Sequence, residues 1–254
     1  MKYGISNIAI VPMRIEALDQ AEMVNQILFG EHFKVLEVRK KWSKVRLAHD
    51  SYEGWVCNKQ WVEIEEDIYK QLDKEVSTIT IDILDVILKD HHQPIVIGSI
   101  LPSYKSGYAL INNEMYKFDG LTTAGFTNKE KLVENALMYL NAPYLWGGRS
   151  PLGIDCSGFT QMIYRLQGID LPRDACQQAE VGKTLSLVKN AEAGDLVFFD
   201  NNEGRITHVG IILDNNHIIH ASGKVRVDKI DQQGIFNKEL STHTHKLRLI
   251  KSIR

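Results

Sequence analysis

Apolar and polar positions alternate with a period of two through much of residues 1–65. Ile8-Ala9-Ile10-Val11 runs up to Pro12, and Phe33-Lys34-Val35-Leu36-Glu37-Val38 and Trp42-Ser43-Lys44-Val45-Arg46-Leu47 follow. Glu53-Gly54-Trp55-Val56 comes after the turn-rich Asp50-Ser51-Tyr52. Short strands at this spacing predict a small barrel with Trp42 and Trp55 in its core. Residues 66–122 are less regular. Glu75–Leu88 fits strand or helix, and the β-branched run before Asp82 favours a strand at its start. Pro94–Pro102, Tyr108–Ile111 and Glu114–Phe118 read as strands, with Asn112-Asn113 as a hairpin turn.

The period changes after residue 123. Thr127-Asn128-Lys129-Glu130 fits a capping box, and Leu132, Val133, Ala136, Leu137 and Leu140 then form one helical face. Asn141-Ala142-Pro143 ends that helix. Pro143, Gly147, Gly148, Pro151 and Gly153 predict a shaped loop. Phe159, Met162, Ile163 and Leu166 return to helical spacing, on a helix starting at or just before Cys156. Gly168–Asp174 breaks the pattern. Strands follow at Leu196–Phe199, in a hairpin over 204–223 and at Leu247–Ile250. Helices followed by an antiparallel run make this part α+β.

The cysteine carries the candidate chemistry. A thiol at the first turn of a helix sits in the positive end of the helix dipole, which favours the nucleophilic thiolate. The alternative, a small buried apolar residue, suits the flanking glycines, Asp155 and Ser157 less well. Such a nucleophile needs a base oriented by a third group. If Asp214-Asn215-Asn216 closes a three-residue loop, Leu213 lies opposite His217 and His220 opposite Gly210. His208 then shares the face of His220, and Gly210 leaves space between the rings. His217 points to the other face and is read as a surface residue.

Bulk properties narrow the field. The chain has 254 residues, 44% apolar and 24% charged, with 30 basic and 32 acidic side chains and a net charge of −2. That balance offers no electrostatic attraction to nucleic acid or an anionic membrane. No stretch is apolar and long enough to span a bilayer, and the N-terminus lacks the apolar core of a signal peptide. Three cysteines, Cys57, Cys156 and Cys176, are few and odd in number and argue against a disulfide framework, so a reducing, cytoplasmic location is expected. His91-His92 is read as solvated loop and not as a metal site.

Tyr144-x-Trp146-Gly147-Gly148, Asp155-Cys156-Ser157-Gly158-Phe159, Gly194-Asp195-Leu196-Val197-Phe198-Phe199, His208-Val209-Gly210 and His220-Ala221 occur in that order. This succession resembles the NlpC/P60 family of papain-like cysteine peptidases over roughly residues 125–254. Gly30-Glu31…Val35-Leu36…Trp42-x-x-Val45…Gly54-Trp55-Val56 resembles the bacterial SH3 module. The resemblance implies two small all-β SH3-like barrels (1–65 and 66–122) ahead of a papain-like catalytic domain (123–254). It makes Cys156 the nucleophile, His208 the base, His220 the orienting third member and Tyr144 an oxyanion donor.

Relatives with this layout and no export signal cut murein stem peptides between D-glutamate and the diamino acid, diaminopimelate or lysine, when the N-terminal L-alanine is free. By motif position Asp155, Trp146, Tyr52 and Glu22 would bind that end, and Ser157 would donate to the D-glutamyl carboxylate. An ammonium in a closed groove needs a compensating carboxylate. Ala175-Cys176 stands where related enzymes often have a serine. Neither cofactor nor metal is implied, and a monomer is expected. The alternatives are a hydrolase of intact peptidoglycan, a wall-binding module without activity, and a zinc site built from Cys156, His208 and His220.

Overall fold

The alternating segments of residues 1–65 become seven antiparallel strands, Lys2–Ile5, Ile10–Arg14, Met23–Leu28, His32–Val38, Trp42–Leu47, Glu53–Cys57 and Val62–Ile64. The computed structural model describes residues 1–126, 129–214 and 216–253. The strands order in space as third, second, sixth, fifth, fourth, first, seventh. Their inner faces bury Val11, Met13, Ile27, Phe33, Val35, Val45, Leu47 and Val56. Trp55 is buried as expected, while Trp42 is only half-buried.

Residues 66–126 open with a helix, Glu66–Leu72, that the period-two pattern did not foreshadow. Glu75–Leu88 then resolves into two strands, Thr78–Thr80 and Leu84–Leu88. The first pairs with Ile100–Leu101 and Thr122–Ala124, and the second with His92–Val96 and Glu114–Lys117. Asn112 and Asn113 form the expected hairpin turn, both with positive φ (48° and 65°), joining Ile111 to its partner Glu114. The two sheet systems share one core. Tyr3, Ile5, Phe29 and Ile64 from the first segment pack with Tyr69, Leu72, Ile87, Ile95, Tyr116 and Phe118. At their seam Ile100 N–H donates to Phe29 O at 2.8 Å, and a Cβ on Gly30 would stand 2.1 Å from Ile100 O. Gly30 sits at φ +77°, a conformation and a closeness that only glycine tolerates.

Residues 1–126 and 146–151 form one compact unit, and 127–145 with 152–254 form the other. In the second, helix Lys129–Met138 buries Leu132 and Ala136, but Leu137 and Leu140 are exposed. The helix ends before Leu140, and buried Tyr139 takes the inner position, edge-on to Phe159 at 5.9 Å. The capping box expected at Thr127–Glu130 lies outside the described residues. Helix Cys156–Arg165 is buried on all sides, its expected face of Phe159, Met162, Ile163 and Leu166 included.

The sheet of this unit runs Lys183–Leu185, Thr242–Ser252, Leu196–Asp200, Ile206–Ile212, His217–Ser222, Lys224–Ile230, Gly234–Asn237. A further pairing of Gly234–Asn237 with Thr242–Ser252 closes six of these strands into a barrel. The Cys156 helix packs on the strands bearing His208 and His220. Among the described residues no helix is long and apolar enough to cross a membrane.

Candidate active site

Asp155 starts the Cys156 helix. In extended conformation (φ −94°, ψ 177°), it accepts the Gly158 N–H on Oδ1 at 2.7 Å, satisfying a donor with no intrahelical partner. Cys156 is thereby fixed as the first helical residue, 6% exposed. Its sulfur lies within hydrogen-bonding reach of the Ser157 and Val209 backbone N–H groups. Val209 follows His208 in the chain, so the sulfur meets the histidine strand at that point. Burial pushes the thiol up to about 12, and the Asp155 charge adds to it. The two N–H groups and Arg173 oppose the rise without cancelling it. The dipole argument for a resting thiolate is therefore corrected, because removal from water costs the anion more than the helix start returns.

The hairpin has the expected register: Gly210 opposes His220, and Leu213 N–H donates to His217 O. His208 and His220 share a face, their rings 5.0 Å apart and nearly perpendicular. His208 Nε2 stands 2.8 Å from His220 Nδ1. A Cβ on Gly210 would come within 2.9 Å of the His220 Cβ, so the space between the strands depends on glycine. His217, expected at the surface, is half-buried.

Beyond His220 the chain of contacts continues to Asp228. His220 Nε2 is 3.0 Å from Asp228 Oδ2, and Arg226 grips the same carboxylate through Nε at 2.6 Å and Nη2 at 2.9 Å. Arg226 is the cross-strand partner of His220, and Asp228, two residues on, shares its face. Burial works to raise the Asp228 carboxyl, but hydrogen bonds from His220 and Arg226 hold it below the usual carboxylate range. An ionised Asp228 only accepts, so the His220 proton sits on Nε2 and its Nδ1 accepts from His208 Nε2–H. The His208 lone pair is left on Nδ1. Burial, then His220 and His245, keep His208 well below the usual histidine value, so it is neutral. His245 stacks on it, centroids 4.2 Å apart.

Tyr144 is half-buried, its N–H bonded to Gly223 O at 3.0 Å. Burial, then the neighbouring Cys156 and Asp155, push its hydroxyl up to about 12, so it remains a donor. Arg173 is buried and forks onto Asp155, Nη1 to Oδ1 at 3.0 Å and Nη2 to Oδ2 at 2.6 Å. Its Nη1 also donates to Ser157 Oγ at 2.9 Å. Asp155 is thus engaged by Arg173 and the helix start, and Ser157 by Arg173.

The remaining expected binding residues lie in the first unit. Trp146 is 59% exposed, and its Nε1 donates to Glu22 Oε1 at 2.6 Å. The loop carrying Trp146 is tied down by Arg149, fully buried, which forks onto Glu31 with two bonds of 2.9 Å. Tyr52 packs half-buried against the first barrel's core, its N–H donating to Asp50 Oδ1. The sequence reading missed Asp228, Arg173 and His245. The alternation Arg226-Val227-Asp228 after the hairpin was the one available signal for the first; the other two reach the site from distant segments.

A sequence model of the NlpC/P60 family matches residues 141–244, and one of the bacterial dipeptidyl-peptidase Sh3 domain matches residues 13–60. Dipeptidyl-peptidase 6 of Lysinibacillus sphaericus is 30% identical over 251 residues, spanning 87% of this chain and 90% of its own. Gamma-D-glutamyl-L-lysine dipeptidyl-peptidase of Bacillus subtilis (strain 168) is 29% identical over 243 residues, spanning 85% and 78%. A crystal structure of an NlpC/P60 family protein from Bacillus cereus ATCC 10987 superposes with a TM-score of 0.80 at 18% identity, over 99% of each chain. At that identity it speaks for the fold.

Proposed function

The chain belongs to the NlpC/P60 family, and we propose that it is a cysteine peptidase cutting the γ-D-glutamyl–L-diamino acid bond of murein stem peptides with a free N-terminal L-alanine, in cell-wall recycling. The observation that carries this reading is the chain of groups at the helix start: Cys156 against the Val209 N–H, and His208, His220 and Asp228 in hydrogen-bonded succession.

The chemistry follows from the proton positions. Cys156 and His208 rest as a neutral pair, because burial opposes both charges. As the sulfur attacks the glutamyl carbonyl, its proton passes to His208 Nδ1, and the imidazolium is held through His220 by Asp228. The Tyr144 hydroxyl and the Cys156 backbone N–H receive the developing oxyanion. His208 gives its proton to the departing amine, and the acyl group stays on sulfur as a thioester. Water deprotonated by His208 then releases the acid and restores the thiol.

Ser157 is assigned to the D-glutamyl carboxylate, with Arg173 supplying positive charge behind it. Asp155 is assigned to receiving the substrate amine by its match to the family's acidic position. Glu22, Tyr52 and Trp146 are assigned to the same end of the substrate on motif position. We place the reaction in the cytoplasm, performed by a monomer; fractionation of the native cell and light scattering of the purified chain check these two assignments.

Mass spectrometry of digests tests the main reading. L-Ala-γ-D-Glu-L-Lys should be cut between glutamate and lysine, its N-acetylated form spared, and Cys156→Ala should abolish the cut. Efficient release from intact sacculi and N-blocked stems would instead favour a wall hydrolase.

A further inference from the structure

One face of the base is covered by a ring that takes no part in the proton transfers above. His245 stacks on His208, their centroids 4.2 Å apart and their planes 29° from parallel. Both rings stand nearly perpendicular to His220, at 83° and 80°. Phe199 lies beside the stack, 5.7 Å from His208 and 5.9 Å from His245. Beyond these rings is a cleft of about 710 Å³ whose wall includes Phe199 and His245 but not His208. His208 is only 7% exposed, while His245 is half-buried. The His245 ring thus stands between the base and an open space.

Closure of the barrel delivers it there. His245 pairs with Ile235, and the register of that pairing shifts between Ile235 and Phe236. The same strand, Thr242–Ser252, shifts register again against Leu196–Asp200, between Phe198 and Phe199. His245 falls between the two irregularities, which bend a strand and re-aim its side chains. A Cβ on Gly234, at φ +143°, would stand 1.8 Å from His245 O, so only glycine lets the strands approach this closely. Thr244 Oγ1 lies 2.9 Å from His245 Nδ1 and orients the ring.

We propose that His245 is a positioning residue for the base: its flat face seals His208 from the cleft, holds that ring perpendicular to His220 and lies against the imidazolium formed during turnover. This rests on the peptidase reading, in which His208 takes the Cys156 proton. On the barrel side His245 meets His208, His220 and Phe199, and feels the charge of Asp228. On the cleft side stand Asp200, Lys246 and His243, the last paired with Asp231. Burial, then His220, lower His245 to about 4 against the pull of Asp228, so at neutral pH it is uncharged. A protonated ring would repel the imidazolium, whereas the face of a neutral one attracts a cation. Water admitted from the cleft would solvate the imidazolium and make the base easier to protonate.

Two measurements test this on the full chain. The first is the pH profile of turnover of L-Ala-γ-D-Glu-L-Lys by His245→Ala and His245→Phe. His245→Ala should lower kcat by about ten- to a hundredfold with KM little changed. Its acid limb should move up by about half a pH unit or more, because water now reaches His208. His245→Phe keeps a flat ring that cannot be protonated, and should recover most of the rate and return the acid limb to its native position. The second measurement follows protonation of the His208 ring by NMR in Cys156→Ala, where the midpoint should rise when His245→Ala is added. Native kcat and an unmoved acid limb in His245→Ala overturn the inference and leave the peptidase reading standing. Equal losses in the Ala and Phe variants do the same, since a flat cover would then not be what matters. Absence of cleavage with a raised His208 midpoint supports the cover and overturns the peptidase reading. Absence of cleavage with an unmoved midpoint overturns both. Circular dichroism checks the fold of each variant, and His245→Asn, which also uncovers the ring, replaces His245→Ala if the latter unfolds.

Discussion

His208 shows how far surroundings change a side chain. Its burial and its two histidine neighbours hold its protonation well below pH 6.5, so the base stays competent as the solution turns acid. The acid limb of kcat/KM should therefore have its midpoint below pH 6.5, as read from a pH series on free tripeptide. A midpoint above 6.5 would contradict the neutral-pair resting state. His245 is lowered to about 4, chiefly by burial. Between pH 6.5 and 4 the unfolded chain takes up a proton that folded His245 refuses, so stability rises with pH across that window and falls as pH drops through it. Calorimetry should show the melting temperature of the second unit declining from pH 6.5 to 4, and His245→Gln should flatten part of that decline.

Strands fix which of these groups meet. Alternation puts His208 and His220 on one face, and the pairing of His217–Ser222 with Lys224–Ile230 brings Asp228 to the far nitrogen of His220. Asp228 acts as a positioning residue: it sets which nitrogen of each ring carries a proton. In Asp228→Asn the amide no longer supplies an obligatory acceptor and a balancing charge. Turnover should fall by about ten- to a hundredfold, in the range typical of outer partners of functional histidines, with KM little changed. The acid limb should move as well, which a purely structural defect would not produce. Equal losses in kcat and in thermal stability with an unmoved pH profile would remove Asp228 from the relay.

For the first unit as a body, the shared core makes a specific demand. Phe29, in the turn after Met23–Leu28, is fully buried and meets Tyr116 of strand Glu114–Lys117 edge-on at 5.5 Å, joining the two sheet systems. Phe29→Ala should cost about 3–5 kcal/mol. Hydrogen exchange should accelerate together in Lys2–Ile5 and Tyr108–Ile111, because the two are held by one core. Acceleration confined to either would show separate cores.

Much of this molecule is legible without coordinates, for reasons of short range. The barrel strands, the Asn112-Asn113 turn, the helix beginning at Cys156 and the common face of His208 and His220 follow from periodicity, turn chemistry and capping. These act over a few residues and need no knowledge of what packs nearby. Folding in three dimensions added what depends on distant partners. Arg173 reaches back to Asp155, Asp228 closes on His220, and His245 arrives from the last strand to stack on His208. It also reversed the expectation for the thiol, since the dipole of a helix start is a local property while the loss of water around Cys156 is imposed by everything packed against it.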